Sequence, residues 1–347
     1  MREVLAQVAE ILREDGGLVL ARVVGCNGSA PRNAGARMIV RRGGAIEGTV
    51  GGGLAEAYVM ERAGGLFNRK VSAVWTLDMN GVDVTGTDMI CGGSMKMLCE
   101  YVHADEETIG TFDQIDSRSK VRWKRVLMTE FKREGAGLYP ISRRLFCPDT
   151  LHEHDVANRD LMTRIEGQKG SLAGSALIET DGGTVCIDVV EDLDPLYIFG
   201  AGHVAREVAV LGCRVGFGPR VLDDRAEFAN AERFPPPMEA RVLDSFSDCF
   251  HGLHVDRHSF VVIVTRGHEH DRTVLKQALG TKAGYIGMIG STRKRDIIYG
   301  ALVTEGFMED DLRRVHSPIG IAIDAGTPEE IAVSIVAELI KERAKRR

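Results

Sequence analysis

The sequence predicts an α/β protein, with a C-terminal Rossmann-type doubly wound parallel sheet over residues 196–347 preceded by an N-terminal α+β domain over 1–191. Three observations carry this. The apolar run Leu196-Tyr197-Ile198-Phe199 breaks at Gly200-Ala201-Gly202 and continues into the helix-compatible His203-Val204-Ala205, the pattern of a strand, a phosphate loop and a helix start. Asp223-Asp224 closes the next apolar run, at the ~20-residue separation where an acid meets a ribose hydroxyl. Phe260-Val261-Val262-Ile263-Val264 is a continuous apolar run suited to a strand buried on both faces. In the G-x-G-x-x-A loop, Gly200 allows the tight turn, Gly202 lets backbone approach a pyrophosphate, and Ala205 takes the third small position. A glycine turn without ligand is the plainer reading of the same residues.

The 347 residues allow two or three domains, and a 44% hydrophobic content can fill their cores. A net charge of -6 leaves no electrostatic footprint for nucleic acid. The basic tail Lys341, Arg343, Lys345, Arg346, Arg347 suits a helix C-terminus. The 7 cysteines are scattered and never spaced C-x-x-C, so neither a disulfide framework nor a structural zinc site is indicated. Reduced thiols in the cytoplasm are expected. Glu3, Glu10, Arg13, Glu14 and Asp15 interrupt any secretory leader. No window reaches the ~20 apolar residues of a membrane span, so no membrane partner is expected, whereas a homo-oligomer is.

Val4, Leu5, Val8, Ile11 and Leu12 recur at helical spacing up to Gly16-Gly17. A strand over 18–24, a loop over 25–32 and a strand over 36–40 follow. Gly51-Gly52-Gly53 stands directly before helix-forming residues 54–61. Backbone N–H groups there can converge on an oxyanion at the positive end of the helix dipole; a mobile turn explains the glycines equally well. Ser29, Arg32 and Arg37 offer hydroxyl and guanidinium donors upstream. Cys91 lies between a polar stretch over 83–89 and a strand over 95–101, where it either faces a cleft or serves as a small buried apolar residue.

From 103 to 190 the pattern is poorly defined: a strand over 121–129, a loop over 135–143, and strands over 175–178 and 184–190. His152-Glu153-His154-Asp155 has metal-binding residue types but no further ligands at fixed spacing, which favours a solvated loop. Residues 192–195 mark a linker. The helix from His203 ends at Gly212 or Gly216, and the strand over 217–222 carries Pro219, awkward where a ladder donor is wanted. Thr265-Arg266-Gly267-His268-Glu269-His270-Asp271 falls on the ligand side of such a sheet. His268 and His270 suit a metal or a proton, or else structure, with Asp271 capping a helix over 272–279. A strand from Tyr285 leads to Gly290-Ser291, again donors before a helix. Thr327-Pro328-Glu329-Glu330 is a capping box that opens a last amphipathic helix.

Taken in order, these residues resemble the XdhC/CoxI family, accessory proteins of molybdenum hydroxylases such as xanthine dehydrogenase and carbon monoxide dehydrogenase. In the first half the likeness rests on Gly28-Ser29-Ala30-Pro31-Arg32, Gly35-Ala36-Arg37-Met38, Gly48-Thr49-Val50-Gly51-Gly52-Gly53 with Glu56, and Cys91-Gly92-Gly93. In the second it rests on Phe199 to Ala205, Asp223-Asp224-Arg225, Thr265 to His268, Tyr285 to Ser291, Pro318-Ile319-Gly320 and Thr327 to Ala332. The resemblance implies a maturation factor more than an enzyme. Such a protein binds molybdenum cofactor (molybdopterin or its dinucleotide) as cargo, guards it during terminal sulfuration, and hands it to an apo-hydroxylase, with a cysteine desulfurase as a further candidate partner. It also implies a cofactor-site role for the motif residues, Glu56, Gly92, Gly93, His203, Arg266 and Gly290 among them, and no catalytic residue. Cys91 is then the soft ligand for molybdenum; many relatives carry a second cysteine where this chain has Leu54. The alternative is an NAD(P)-dependent oxidoreductase using Asp223. No general acid paired with a substrate pocket is legible for it, and it leaves the N-terminal motifs without purpose.

Overall fold

The computed structural model describes residues 2–28, 34–78, 93–116, 124–146, 174–180, 183–191 and 193–346. The chain divides into two compact units, Met1–Asp192 and Leu193–Arg347.

In the first unit, strand β1 (Gly17–Gly28) is the centre of a five-stranded antiparallel sheet with β2 (Arg37–Arg41), β3 (Ile46–Thr49), β4 (Ala73–Asp78) and β5 (Gly93–His103), in the order β3-β2-β1-β5-β4. Val19, Ala21 and Val23 pack on one face with residues of the helix Gly53–Arg69. Leu18 and Leu20 pack on the other with residues of the helices Arg2–Asp15 and Glu106–Asp116. With both faces covered, β1 opens as an unbroken apolar run, as buried strands do. A four-stranded antiparallel sheet follows from β6 (Lys124–Glu134), β7 (Gly137–Phe146), β8 (Ser175–Thr180) and β9 (Gly183–Glu191), in the order β7-β6-β9-β8.

Two sequence expectations are corrected here. Residues 25–28 are not loop: they pair with Gly93–Lys96 beyond a register shift at Val23/Gly25. Residues 137–143 belong to β7, an edge strand, where Pro140 is tolerated because one flank has no ladder to feed.

The second unit is a parallel sheet of β10 (Asp194–Phe199), β11 (Phe217–Asp223), β12 (Glu239–Val242), β13 (Phe260–Ile263), β14 (Tyr285–Met288) and β15 (Val315–His316), ordered β12-β11-β10-β13-β14-β15. Helices His203–Arg214 and Pro328–Ala344 cover one face, and His268–Leu279 with Thr292–Thr304 the other. Counted within the unit the order is 3-2-1-4-5-6, doubly wound, and it reverses between β10 and β13. β10 already begins at Asp194, so the expected linker is shorter by two residues. Pro219 sits one residue before β12 pairing begins at Arg220, where β11 is flanked by β10 alone. The first helix passes through Gly212, where a Cβ would stand 2.9 Å from Leu196 Cδ2; glycine lets helix and strand close up. Thr327 and Glu330 form the expected capping box. Arg343 lies in the last turn, and its guanidinium bonds the Val215 and Gly216 carbonyls. No helix among the described residues is long and apolar enough to cross a membrane.

Candidate functional site

Ligands of doubly wound sheets bind outside the carboxyl ends of the strands where the order reverses, and four predicted loops meet along that edge. Gly200 has φ of 107°, donates to Leu222 O at 2.7 Å, and lies so near β13 that a Cβ would stand 2.4 Å from Val264 O. Only glycine fits. Gly202 is the N-cap of His203–Arg214, with no side-chain cap and open space where a Cβ would be. No side chain caps the first N–H groups of that helix, which suits them to a phosphate. His203 is exposed at the same helix start.

Asp223 ends β11 but does not present its carboxylate to a ligand, contrary to the sequence expectation. It is 1% exposed. Its Oδ2 accepts from Ala201 N at 2.8 Å and Arg225 Nη2 at 2.9 Å, its Oδ1 from Arg225 N at 3.0 Å and Nε at 2.8 Å. The Arg225 guanidinium lies 3.9 Å above the Phe228 ring, and Arg233 Nη2 donates to Ala201 O at 3.3 Å. Asp224 is the acid nearer solvent. Arg266, in the loop after β13, pairs with it through both nitrogens of its fork, Nη2 at 2.8 Å, so the pair crosses the end of β10. The Arg266 hydrogen bond holds the Asp224 carboxyl down at about 2.

Asp271 is not an N-cap. The helix starts at His268 with Gly267 as its cap, and Asp271 lies buried in the first turn. Its Oδ1 accepts from Thr265 N at 3.2 Å and Oγ1 at 2.5 Å, and its Oδ2 pairs with Lys294. Burial lifts its pKa despite these partners. The triad ties the loop after β13 to the helix after β14. There Gly290 has φ of 150°, and Ser291 is engaged as the helix cap, accepting from Lys294 N at 3.3 Å. His268 is exposed; His270 packs 5.0 Å from the Phe246 ring. Arg233 and Lys294 were not foreseen, and Arg225 was named only within the Asp223-Asp224-Arg225 motif, without its grip on Asp223.

In the first unit, Gly51, Gly52 and Gly53 have φ of 143°, 78° and 37°, and Cβ atoms at Gly52 and Gly53 would meet nothing. The turn is open, but Glu56 occupies the first helical turn, accepting from Thr49 Oγ1, which accepts from Gly51 N at 3.1 Å. Gly93 is buried opposite Gly28. Arg37 is not a loop donor: it is buried, with Asp188 Oδ1 at 3.2 Å and Val189 O at 3.2 Å. It belongs to a buried network in which Arg22 hydrogen-bonds Glu100 and forms an ion pair with Asp188, Arg143 bonds Glu100 and Thr108, and Ser175 bonds Asp188. A charge at the inward register of a strand, as in Leu18-x-Leu20-x-Arg22, was the legible signal. Ser29, Arg32, Cys91, Gly92 and the segment His152 to Asp155 lie outside the described residues. Among the described residues no group of three or more His, Cys, Asp or Glu is placed to hold a metal ion.

Residues 196–339 match the family described as the XdhC Rossmann domain, and residues 11–78 match the XdhC and CoxI family. A Bacillus subtilis protein whose name makes it one of the subunits of a probable xanthine dehydrogenase is 27% identical over 96% of this chain and 96% of its own. Escherichia coli PaoD, named a molybdenum cofactor insertion chaperone, is 22% identical over 99% of this chain and 88% of its own. E. coli YqeB, named uncharacterized, is 24% identical over 97% of this chain, which spans 46% of YqeB's length. A Bacillus halodurans crystal structure described as a xanthine dehydrogenase shares the fold, with TM-score 0.76 over 99% of this chain and 96% of its own at 23% identity.

Proposed function

The chain belongs to the XdhC and CoxI family, and from that premise we propose that it carries molybdenum cofactor as cargo and delivers it, after sulfuration, to an apo-hydroxylase of the xanthine dehydrogenase type. The observation that carries this reading is the open, uncapped helix start at Gly202, set where the strand order reverses. Backbone N–H groups there suit a pterin phosphate or the diphosphate of a dinucleotide form. The names of the B. subtilis and PaoD relatives point the same way. We assign Cys91 as the thiolate that steadies molybdenum, with the open turn at Gly51-Gly52-Gly53 as a second anion-holding element. A cysteine desulfurase, a second copy of the chain and a cytoplasmic setting complete the proposal.

The test is to purify the protein from cells that make the cofactor, then measure molybdenum and oxidised-pterin fluorescence per chain while titrating NAD and NADP separately. Retained molybdenum and pterin are expected. Tight nicotinamide binding with turnover, and neither pterin nor metal, would favour the oxidoreductase alternative and sink the carrier. Cys91→Ala is expected to lower molybdenum per chain with no change in thermal unfolding; unaltered retention would return Cys91 to an ordinary apolar role.

A further inference from the structure

Asp223 holds the position from which a Rossmann acid reaches a ribose diol, yet its bonding capacity is filled. An ionised carboxylate offers about four lone-pair sites, and Ala201 N together with three Arg225 nitrogens takes them. At 1% exposure no flank is left for a hydroxyl to approach. What the rim presents instead is cationic. Arg266 is 45% exposed while held by Asp224, itself 18% exposed. Arg233 contributes a buried Nε with no hydrogen-bond partner, on the side chain that reaches Ala201 O. A guanidinium grips phosphate with the same two-pronged geometry it uses on carboxylate, so Asp224 and a ligand phosphoryl group compete for Arg266.

We infer that this rim reads phosphate and not ribose: Arg266 is the specificity-determining residue, exchanged from Asp224 to a phosphoryl group of the ligand, and the sugar hydroxyls gain nothing from Asp223. The inference rests on the proposed phosphate role of the Gly200–Gly202 loop. It deepens that reading by setting the ligand class as phosphoryl compounds, whatever sugar they carry.

The full chain is titrated calorimetrically with ADP and with its 2′,3′-dideoxy analogue, a comparison that needs no variant. The two dissociation constants should agree within about twofold, whereas a diol bound by a carboxylate would separate them about tenfold or more. Asp224→Asn, which leaves Arg266 only its longer 3.7 Å pairing with Asp223 Oδ1, should tighten both probes about threefold or more, and Arg266→Gln should weaken both about tenfold. Thermal unfolding of each variant checks that the fold is kept. A dideoxy analogue that binds more than about fivefold weaker, an Asp224→Asn protein with unchanged or weaker affinity, or failure of ADP to bind overturns the inference. A protein that retains pterin yet fails with ADP loses this inference and keeps the carrier role. ADP binding of the expected pattern without pterin or molybdenum does the reverse.

Discussion

Both units pair basic side chains with carboxylates, but in opposite surroundings. In the first, Arg22, Arg37 and Arg143 are enclosed with Glu100 and Asp188 between strands of two sheets, all of them buried. In the second, Asp224–Arg266 and Asp271–Lys294 stand at strand ends, where both cations keep a route to water. Desolvating a charge costs so much that a buried set holds only while every partner is present. The enclosed network is a fastener that joins β1, β2 and β5 to β7, β8 and β9. Of the two pairs in the second unit only Asp224–Arg266 has both members in reach of water, so that pair can change partners, which is what a binding edge requires; the Asp271 side chain is as buried as the acids of the first unit.

The strongest way to break this contrast is Arg22→Met, which leaves Glu100 and Asp188 short of a cation in the core. A loss of about 3–5 kcal/mol is expected in urea unfolding, and an unchanged midpoint would mean the network does no more than apolar packing. Gly200→Ala attacks the other unit. It forces a Cβ against Val264 O at φ of 107°, and should cost about 1–3 kcal/mol in thermal unfolding.

Glu338 sharpens the comparison with a charge of intermediate burial. It accepts from Tyr285 Oη at 2.6 Å and Gly320 N at 2.8 Å, with His316 Nδ1 at 3.2 Å. Burial raises its pKa, but these bonds outweigh it and bring the carboxyl from 4.5 down to about 2. A depressed carboxylate adds stability above its unfolded value and loses it as pH falls toward the folded one. Between pH 5 and pH 2 the wild type should therefore lose on the order of 1–2 kcal/mol more than Glu338→Gln, measured by urea midpoints across the acid range. Parallel curves would remove Glu338 from the account. The smallest stability effect is expected of Gly202→Ala, about 0.5–1 kcal/mol at an N-cap. Its methyl nonetheless enters the proposed phosphate space and should reduce pterin retention; full retention would place the phosphate elsewhere.

The centre of the parallel sheet was legible because β10, β11, β13 and β14 carry short apolar runs, a pattern local in sequence, whereas the edge strands β12 and β15 have no such run and were not predicted. The glycines at 200 and 202 and the box at Thr327 were legible for the same reason. What escaped depends on partners far along the chain. β7 reads as loop because Pro140, Ser142, Arg143 and Arg144 interrupt its apolar pattern, and only the fold shows Arg143 turned inward to Glu100. Arg37 looks like a surface donor until Asp188, 151 residues away, takes it. Asp223 was placed correctly at its strand end, but its occupation by Arg225 could not be seen from spacing alone.

The strand ends around Gly200 are stitched to one another: Gly200 N to Leu222 O, Val264 N to Phe199 O, and Ile289 N to Ile263 O. Backbone held this way has little freedom to breathe, so under the proposed phosphate role any adjustment at this rim would fall to exposed side chains, which rotate on the picosecond-to-nanosecond scale. Loading at this rim would then be timed by how often cargo arrives.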